Sequence, residues 1–166
     1  MFTIYKGFHF CNKALYKLFN LFNNKKRMSY YVTFNETALY VDNSVDRFDV
    51  NKLFGFSLGM HHKNSYRFGW NCIDGKVHIY AYAYINSGRI ITEICIININ
   101  EEHRFTIFIS NNGKCIFTVI DSLDKINQAI VMVPKSKQKL FGYKLWPYFG
   151  GNKTAPQKIE IKLIEN

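Results

Sequence analysis

The side chains best able to do chemistry are concentrated in one stretch, Gly59-Met60-His61-His62-Lys63-Asn64-Ser65-Tyr66-Arg67-Phe68-Gly69-Trp70. Adjacent imidazoles raise the question of a metal. Successive side chains of an extended strand point to opposite faces, so His61 and His62 meet at one ion only where the backbone bends. A zinc site also needs a third ligand, and His9, His78 and His103 stand at no recognised spacing from the pair. No metal and no cofactor is expected. In the strand that follows, Tyr66, Phe68 and Trp70 share one face and Arg67, Gly69 and Asn71 the other. That predicts an aromatic core face backed by a solvated arginine.

Acid–base catalysis needs a donor and an acceptor poised on one surface. Most of the twelve acidic residues fall near turns or the termini. Glu93 is the exception, in an apolar run where Ile91, Cys95 and Ile97 share its face. A strand-edge carboxylate in water is expected there, with burial against Arg67 or Arg104 as the alternative. No carboxylate pair at glycosidase spacing, nucleophile elbow, phosphate loop or H-E-x-x-H motif occurs. No catalytic residue is assigned, and the reading leans away from an enzyme.

The aromatic signal is stronger. His78, Tyr80, Tyr82 and Tyr84 alternate with Val77, Ile79, Ala81 and Ala83, forming one stripe of a strand. Exposed tyrosines offer flat amphipathic surfaces on which sugars or bases stack. The alternative is that this face packs against a second sheet and the alanines face outward. The candidate ligand-binding set is Tyr80, Tyr82, Tyr84, His78, Arg67, His62 and Asn64.

These residues must be positioned by strands. From Tyr30 onward apolar residues recur with period two, as in Phe105, Ile107 and Ile109, in Cys115, Phe117 and Val119, and in Ile159, Ile161 and Leu163. Asp74-Gly75, Asn86-Ser87-Gly88, Asn100-Glu101-Glu102 and Asn111-Asn112-Gly113 supply turn residues that tolerate positive φ. About ten antiparallel strands separated by such turns predict an all-β sandwich or barrel spanning 30–166. The segment 124–133 fits a strand or a short helix. Leu145 to Pro156 reads as a wide loop anchored in the core by Trp146, Tyr148 and Phe149.

The first 29 residues differ electrostatically, since no acidic residue precedes Glu36. Leu15, Leu18, Phe19 and Phe22 recur at helical spacing after Asn12, which predicts one short amphipathic helix packed on or appended to the domain. Lys13, Lys17, Lys25, Lys26 and Arg27 are its candidate anion-binding residues. Met28 offers an alternative start.

The chain has 166 residues and a formal charge of +10, with 48% hydrophobic and 17% aromatic residues. Such a chain buries a core without disulfides and is no disordered tail. Its charge favours acidic partners. The four cysteines form no C-x-x-C pair and are expected free, as in a reducing compartment. No signal-peptide pattern and no apolar run of the ~20 residues of a membrane span is found. A cytoplasmic or virion-associated location follows as an expectation.

The runs Asn51-Lys52-Leu53-Phe54-Gly55-Phe56-Ser57, His61 to Ser65, Arg67 to Trp70, Trp146 to Gly151 and Ala155-Pro156 give the chain a resemblance. From about Tyr30 onward it resembles small uncharacterised β-sandwich proteins of bacterial and phage origin, and its C-terminal strand is similar to those of concanavalin-like jelly rolls. The resemblance implies a fold and no active site. Three functions are compatible with these features. The leading one is a non-catalytic binding or assembly protein, self-assembly included, whose partner is a macromolecule such as a glycan or other acidic polymer. The alternative is a carbohydrate-binding or carbohydrate-active domain using an aromatic concave sheet. The third, nonspecific nucleic-acid binding, rests on charge alone.

Overall fold

A strand with one apolar face is stable only where a second layer covers that face. The computed structural model, which describes residues 1–13, 21–22, 27–41, 46–137 and 142–166, shows two sheets doing this for each other. The first sheet runs, in spatial order, β1 (Phe2–Ile4), β12 (Ile159–Glu165), β3 (Arg27–Phe34), β8 (His103–Ile109), β9 (Lys114–Ile120) and β10 (Ile126–Met132). The second runs β2 (Leu21–Phe22), β11 (Gly142–Leu145), β4 (Asn51–Ser57), β5 (Asn64–Ile73), β6 (Lys76–Ile85) and β7 (Gly88–Ile97). Neighbouring strands pair antiparallel throughout. The protein is therefore an all-β antiparallel sandwich.

Between the sheets lies an aromatic core. Phe34, Phe105 and Phe117 of the first sheet and Phe54, Phe68 and Trp70 of the second are all fully buried. Phe68 meets Phe105 at 4.8 Å and Phe117 at 5.3 Å, edge-on in both cases, and Phe34 meets Trp70 at 5.2 Å. Each such ring contributes on the order of 2–3 kcal/mol by leaving water. Ala81 and Ala83 of β6 also point into this core. The tyrosine stripe on the same strand therefore faces outward, which settles the choice its small neighbours leave open.

Turn chemistry explains the β5–β6–β7 meander. Asp74 and Gly75 have φ of 50° and 71°, and Asn86 and Ser87 have 49° and 68°. Two consecutive positive φ values make type I′ turns, whose twist matches that of the strands they join. The segment around Asn100 differs from expectation. β7 belongs to the second sheet and β8 to the first, so this connection crosses between layers and closes no hairpin. Residues 126–132 are a strand, because Ala129 and Val131 alternate into the core at period two.

Most of the expected N-terminal helix, including Leu15, Leu18 and Phe19, lies outside the described residues, as do Lys17, Lys25 and Lys26. Its described end, Leu21–Phe22, is not helical and pairs with β11. Among the described residues the only helical elements are the 3-10 turns Glu36–Ala38 and Lys135–Lys137. Phe2, Ile4 and Cys11 are buried in the core, and Arg27 opens β3. All four cysteines are free thiols. No helix among the described residues is long and apolar enough to cross a membrane.

Candidate functional site

The outer face of the second sheet carries a groove of about 490 Å³, within the size range of small-molecule sites. Strand register builds its floor. Arg67 of β5 stands opposite Tyr82 of β6 and Gly55 of β4, while Lys52 of β4 stands opposite Gly69, which in turn faces Tyr80. The β4–β5 register shifts between Lys52 and Gly55. Gly69 is held to glycine by space, since a Cβ there would lie 2.4 Å from Val50 Cγ1 and 3.4 Å from Tyr82 Cβ. The missing side chain lets Val50 close onto Tyr80 and Tyr82, which form a small apolar cluster outside the main core. Tyr82 thus points away from the core and is still only 2% exposed.

One wall is the segment after β11. Tyr148 exchanges two backbone hydrogen bonds with Lys52, at 2.9 and 3.0 Å. The Gly150 N–H donates to Asn51 Oδ1 at 2.7 Å, and Asn51 Nδ2 donates to the Tyr40 hydroxyl at 2.8 Å. Trp146 and Phe149 are buried and pin this strap to the sandwich. At Gly151 a Cβ would fall 1.8 Å from Asp49 Oδ2, so a larger residue there would have to turn the Asp49 carboxylate aside. His9 stacks on Tyr148 at 5.2 Å, and Phe10 meets the same ring edge-on at 5.1 Å. The opposite wall is the bend after β4. It brings the rings of His61 and His62 to 4.1 Å and hydrogen-bonds His61 Nδ1 to the Tyr143 hydroxyl.

Electrostatics gives the groove its sign. Lys52 and Arg67 line it, no Asp or Glu does among the described residues, and no carboxylate among them pairs with either cation. Burial pulls the Lys52 ammonium down to about 8, reinforced by the charges of Arg67 and Arg89 and opposed by Asp49. Burial likewise lowers the Arg67 guanidinium to about 10, against the favourable field of the surrounding tyrosines. Arg67 donates from Nη2 to the Trp146 carbonyl at 3.1 Å, and its buried Nε finds no partner. The Lys52 ammonium contacts the Gly150 carbonyl at 3.3 Å and lies 5.0 Å from the Tyr82 ring centre. Burial also raises the Tyr82 hydroxyl to about 12 and lowers His61, in the latter case together with the charges of His62 and Arg67. Lys144, by contrast, is neutralised by Glu165 at 3.4 Å. The groove is an aromatic trough with two poorly solvated cations in its floor.

Of the candidate ligand-binding set, Tyr82, Tyr84, Arg67 and His62 come together in this groove. Tyr80 does not line it and donates to Asn71 Oδ1 at 3.1 Å. His78 sits further along the strand, its Nδ1 3.0 Å from Glu93. Asn64 is buried, its Oδ1 accepting from the Asn86 N–H at 3.2 Å, which braces the β6–β7 turn. One expectation is corrected: Arg67 is no solvated arginine but is half-buried in the groove, where it donates to the strap. His61 and His62 converge where the backbone turns. Glu93 is exposed on the edge strand β7, as expected, with His78 as its partner and neither arginine. Lys13 and Arg27 are exposed and do not line the groove, and Lys13 lies 5.4 Å from the Phe2 ring centre. Sequence reasoning missed Lys52, Tyr143 and the groove-lining role of Tyr148. Lys52 had one signal, as the sole charge in the apolar run from Val50 to Ser57. No group of three or more metal-ligating side chains occurs among the described residues.

The fold and the groove define a class, the two-layer antiparallel sandwich with a charged outer trough. No family model matches the sequence, and no curated protein matches it. Among solved structures, the chain is similar to the alginate lyase from Klebsiella pneumoniae, with a TM-score of 0.53 and 11% sequence identity. The match covers 84% of this chain and 59% of that one. At this identity the likeness shows the fold alone, an antiparallel β-sandwich.

Proposed function

We propose that the groove binds an acidic polysaccharide. The observation that carries this reading is the pair Lys52 and Arg67, two half-buried cations with which no carboxylate among the described residues forms an ion pair, Asp49 acting on Lys52 only through its field. Holding them so costs free energy, which a bound anion returns by pairing with them. Tyr84 and Tyr148, both half-buried, line the same trough and supply faces and hydroxyls for sugar rings, while the buried Tyr82 supports its floor. Carboxylates carried by the sugars reach the cations, with the planar guanidinium of Arg67 suited to a bidentate contact. The alginate-lyase neighbour supports this ligand class without assigning it.

Titration calorimetry with alginate and polygalacturonate oligosaccharides against a neutral glucan is the test. Saturable binding of the acidic sugars alone, lost in Arg67→Gln, is expected. Equal binding of the neutral glucan, unchanged binding by Arg67→Gln, or preferential binding of single-stranded DNA would overturn the reading.

A second reading, eliminative cleavage of the bound uronate, is favoured by the lowered Lys52. With its ammonium near 8, roughly a tenth of the amine is neutral at pH 7 and able to take a proton. Arg67 would hold the carboxylate whose charge builds up as the proton beside it leaves. A groove tyrosine would protonate the departing glycosidic oxygen. Growth of the ultraviolet absorbance of an unsaturated uronate is the readout, and its absence with every bound oligosaccharide would leave the groove a binding site only.

A further inference from the structure

We propose that two copies of this chain pair through the free edge of β7, antiparallel about a two-fold axis at Ile91, joining their second sheets into one continuous sheet. This inference does not rest on the groove's ligand.

A long uncovered edge strand is a template for another chain, and proteins ordinarily blunt it with lysine, proline or brevity. β7 has neither lysine nor proline in its ten residues, and its one register shift falls after Glu93, beyond residues 88–93. It is ten residues long, reads GRIITEICII, and pairs only with β6 among the described residues. Residues 88–93 are exposed, with Ile90 at 40% and Ile91 at 39% although their side chains point to opposite faces. This half of β7 thus projects with apolar side chains on both sides. The outer edges β1 and β2 have three and two residues and cannot offer as much.

Backbone phase follows from the turn. Asn86-Ser87 is a two-residue type I′ loop, so Ile85 and Gly88 form its closing hydrogen-bonded pair. Alternation then turns the N–H and C=O of Ile90 and Thr92 toward β6 and those of Arg89, Ile91 and Glu93 away from it. Three residues are left with their backbone groups unpaired on the free edge.

The charges on these residues name the partner. Pairing β7 with itself about Ile91 sets Ile91 against Ile91, Arg89 against Glu93 of the second copy, and Glu93 against its Arg89. Opposed residues of an antiparallel pair share a face, so each arginine meets a carboxylate on the groove side. Glu93 already accepts from His78 through Oε1 and keeps Oε2 for this contact. β10, the other long edge, reads INQAIVM and has no charge to pair.

Sedimentation velocity of the full chain over about a hundredfold range of concentration tests this. A concentration-dependent dimer is expected. Arg89→Glu and Glu93→Arg should each weaken it at least about tenfold, because the two-fold axis creates two like-charge contacts at once. The double variant should regain affinity to within about threefold. Ile91→Pro removes an outward N–H while sparing the ladder to β6, and should give monomer. A wild type that stays monomeric throughout, or a dimer indifferent to both single charge changes, overturns the proposal, and a double variant no better than the singles overturns the register. The charge variants decide the matter even if the proline variant fails to fold.

Discussion

The two outer faces of the sandwich start from the same material and end differently. On the first sheet, Ser29, Thr106, Thr118 and Gln128 stand in one row across β3, β8, β9 and β10. Ser29 Oγ lies 2.9 Å from Thr106 Oγ1, and Gln128 Nε2 donates to Thr118 Oγ1 at 3.1 Å. Phe108, Ile126 and Ile130 lie exposed around this row. On the second sheet the outward positions carry Lys52, Arg67, Tyr80 and Tyr82, and there the strap from Trp146 to Gly151 runs alongside β4, with Tyr148 bridged to Lys52. A sheet face becomes a site when neighbouring segments wall it in, because only then are its polar groups drawn out of water and made to find new partners. Backbone hydrogen bonds between Tyr148 and Lys52 hold the strap there, and Gly69 leaves room for Val50 beside it.

That contrast breaks most sharply with an aromatic deletion on each face. Tyr82→Ala should cost about 3–5 kcal/mol, as a core truncation does. Phe108→Ala, on a side chain 41% exposed, should cost roughly 1 kcal/mol. Paired thermal or urea melts decide it. Equal losses would mean that the covered face packs no better than the bare one.

Charge removal is the next largest effect. Arg67→Gln should weaken acidic-oligosaccharide binding by about 2 kcal/mol or more, some thirtyfold, with little loss of stability. Arg104→Gln on the opposite face should leave binding within twofold, as measured in the same calorimetric titration.

The pH dependence sharpens the comparison further. The folded chain holds Lys52 near 8 against an ordinary value of 10.5. Between those two pH values the unfolded chain therefore binds more protons, and this residue makes stability rise with pH across that window. Below it the full penalty is present. Lys52→Met should accordingly stabilise the free protein at pH 7 by on the order of 1–3 kcal/mol. The gain should fade above pH 10.5, in denaturant melts run at several pH values. Acidic-sugar affinity in the unsubstituted protein should fall as pH rises past the Lys52 value with ligand bound, which pairing moves upward.

The smallest effect belongs to the bare face. Ile130→Ser, at a side chain 55% exposed, should change stability by no more than about 0.5 kcal/mol. A larger loss at low protein concentration would show that this face is covered as well.

Period-two alternation, two type I′ turn signals and the aromatic run Tyr66, Phe68 and Trp70 made the sandwich and its core legible from sequence, because strand faces are local properties of the chain. So was the identity of Arg67, Tyr82 and Tyr84 as neighbours of interest, since two adjoining strands carry them near one short turn. The turn at Asn100 misled, because the same residues close a hairpin or carry the chain across to another sheet. Only the pairing of distant strands distinguishes the two.

The sequence by itself determined most of which residues could point together, because alternation along a strand is fixed by covalent geometry; a register shift in β7 breaks it, setting Glu93 with Ile91 on the outer face and Cys95 and Ile97 on the other. It also determined that the chain is cationic and rich in aromatic rings. The tertiary structure decided which of the two faces of β6 meets the core, that Tyr148 is bridged to Lys52 96 positions away in the chain, and that Arg67 is half-buried in the groove. The reason is that desolvation is a property of whatever covers a group. The cover here comes from a segment that backbone pairing brings into place only when the whole sandwich has formed.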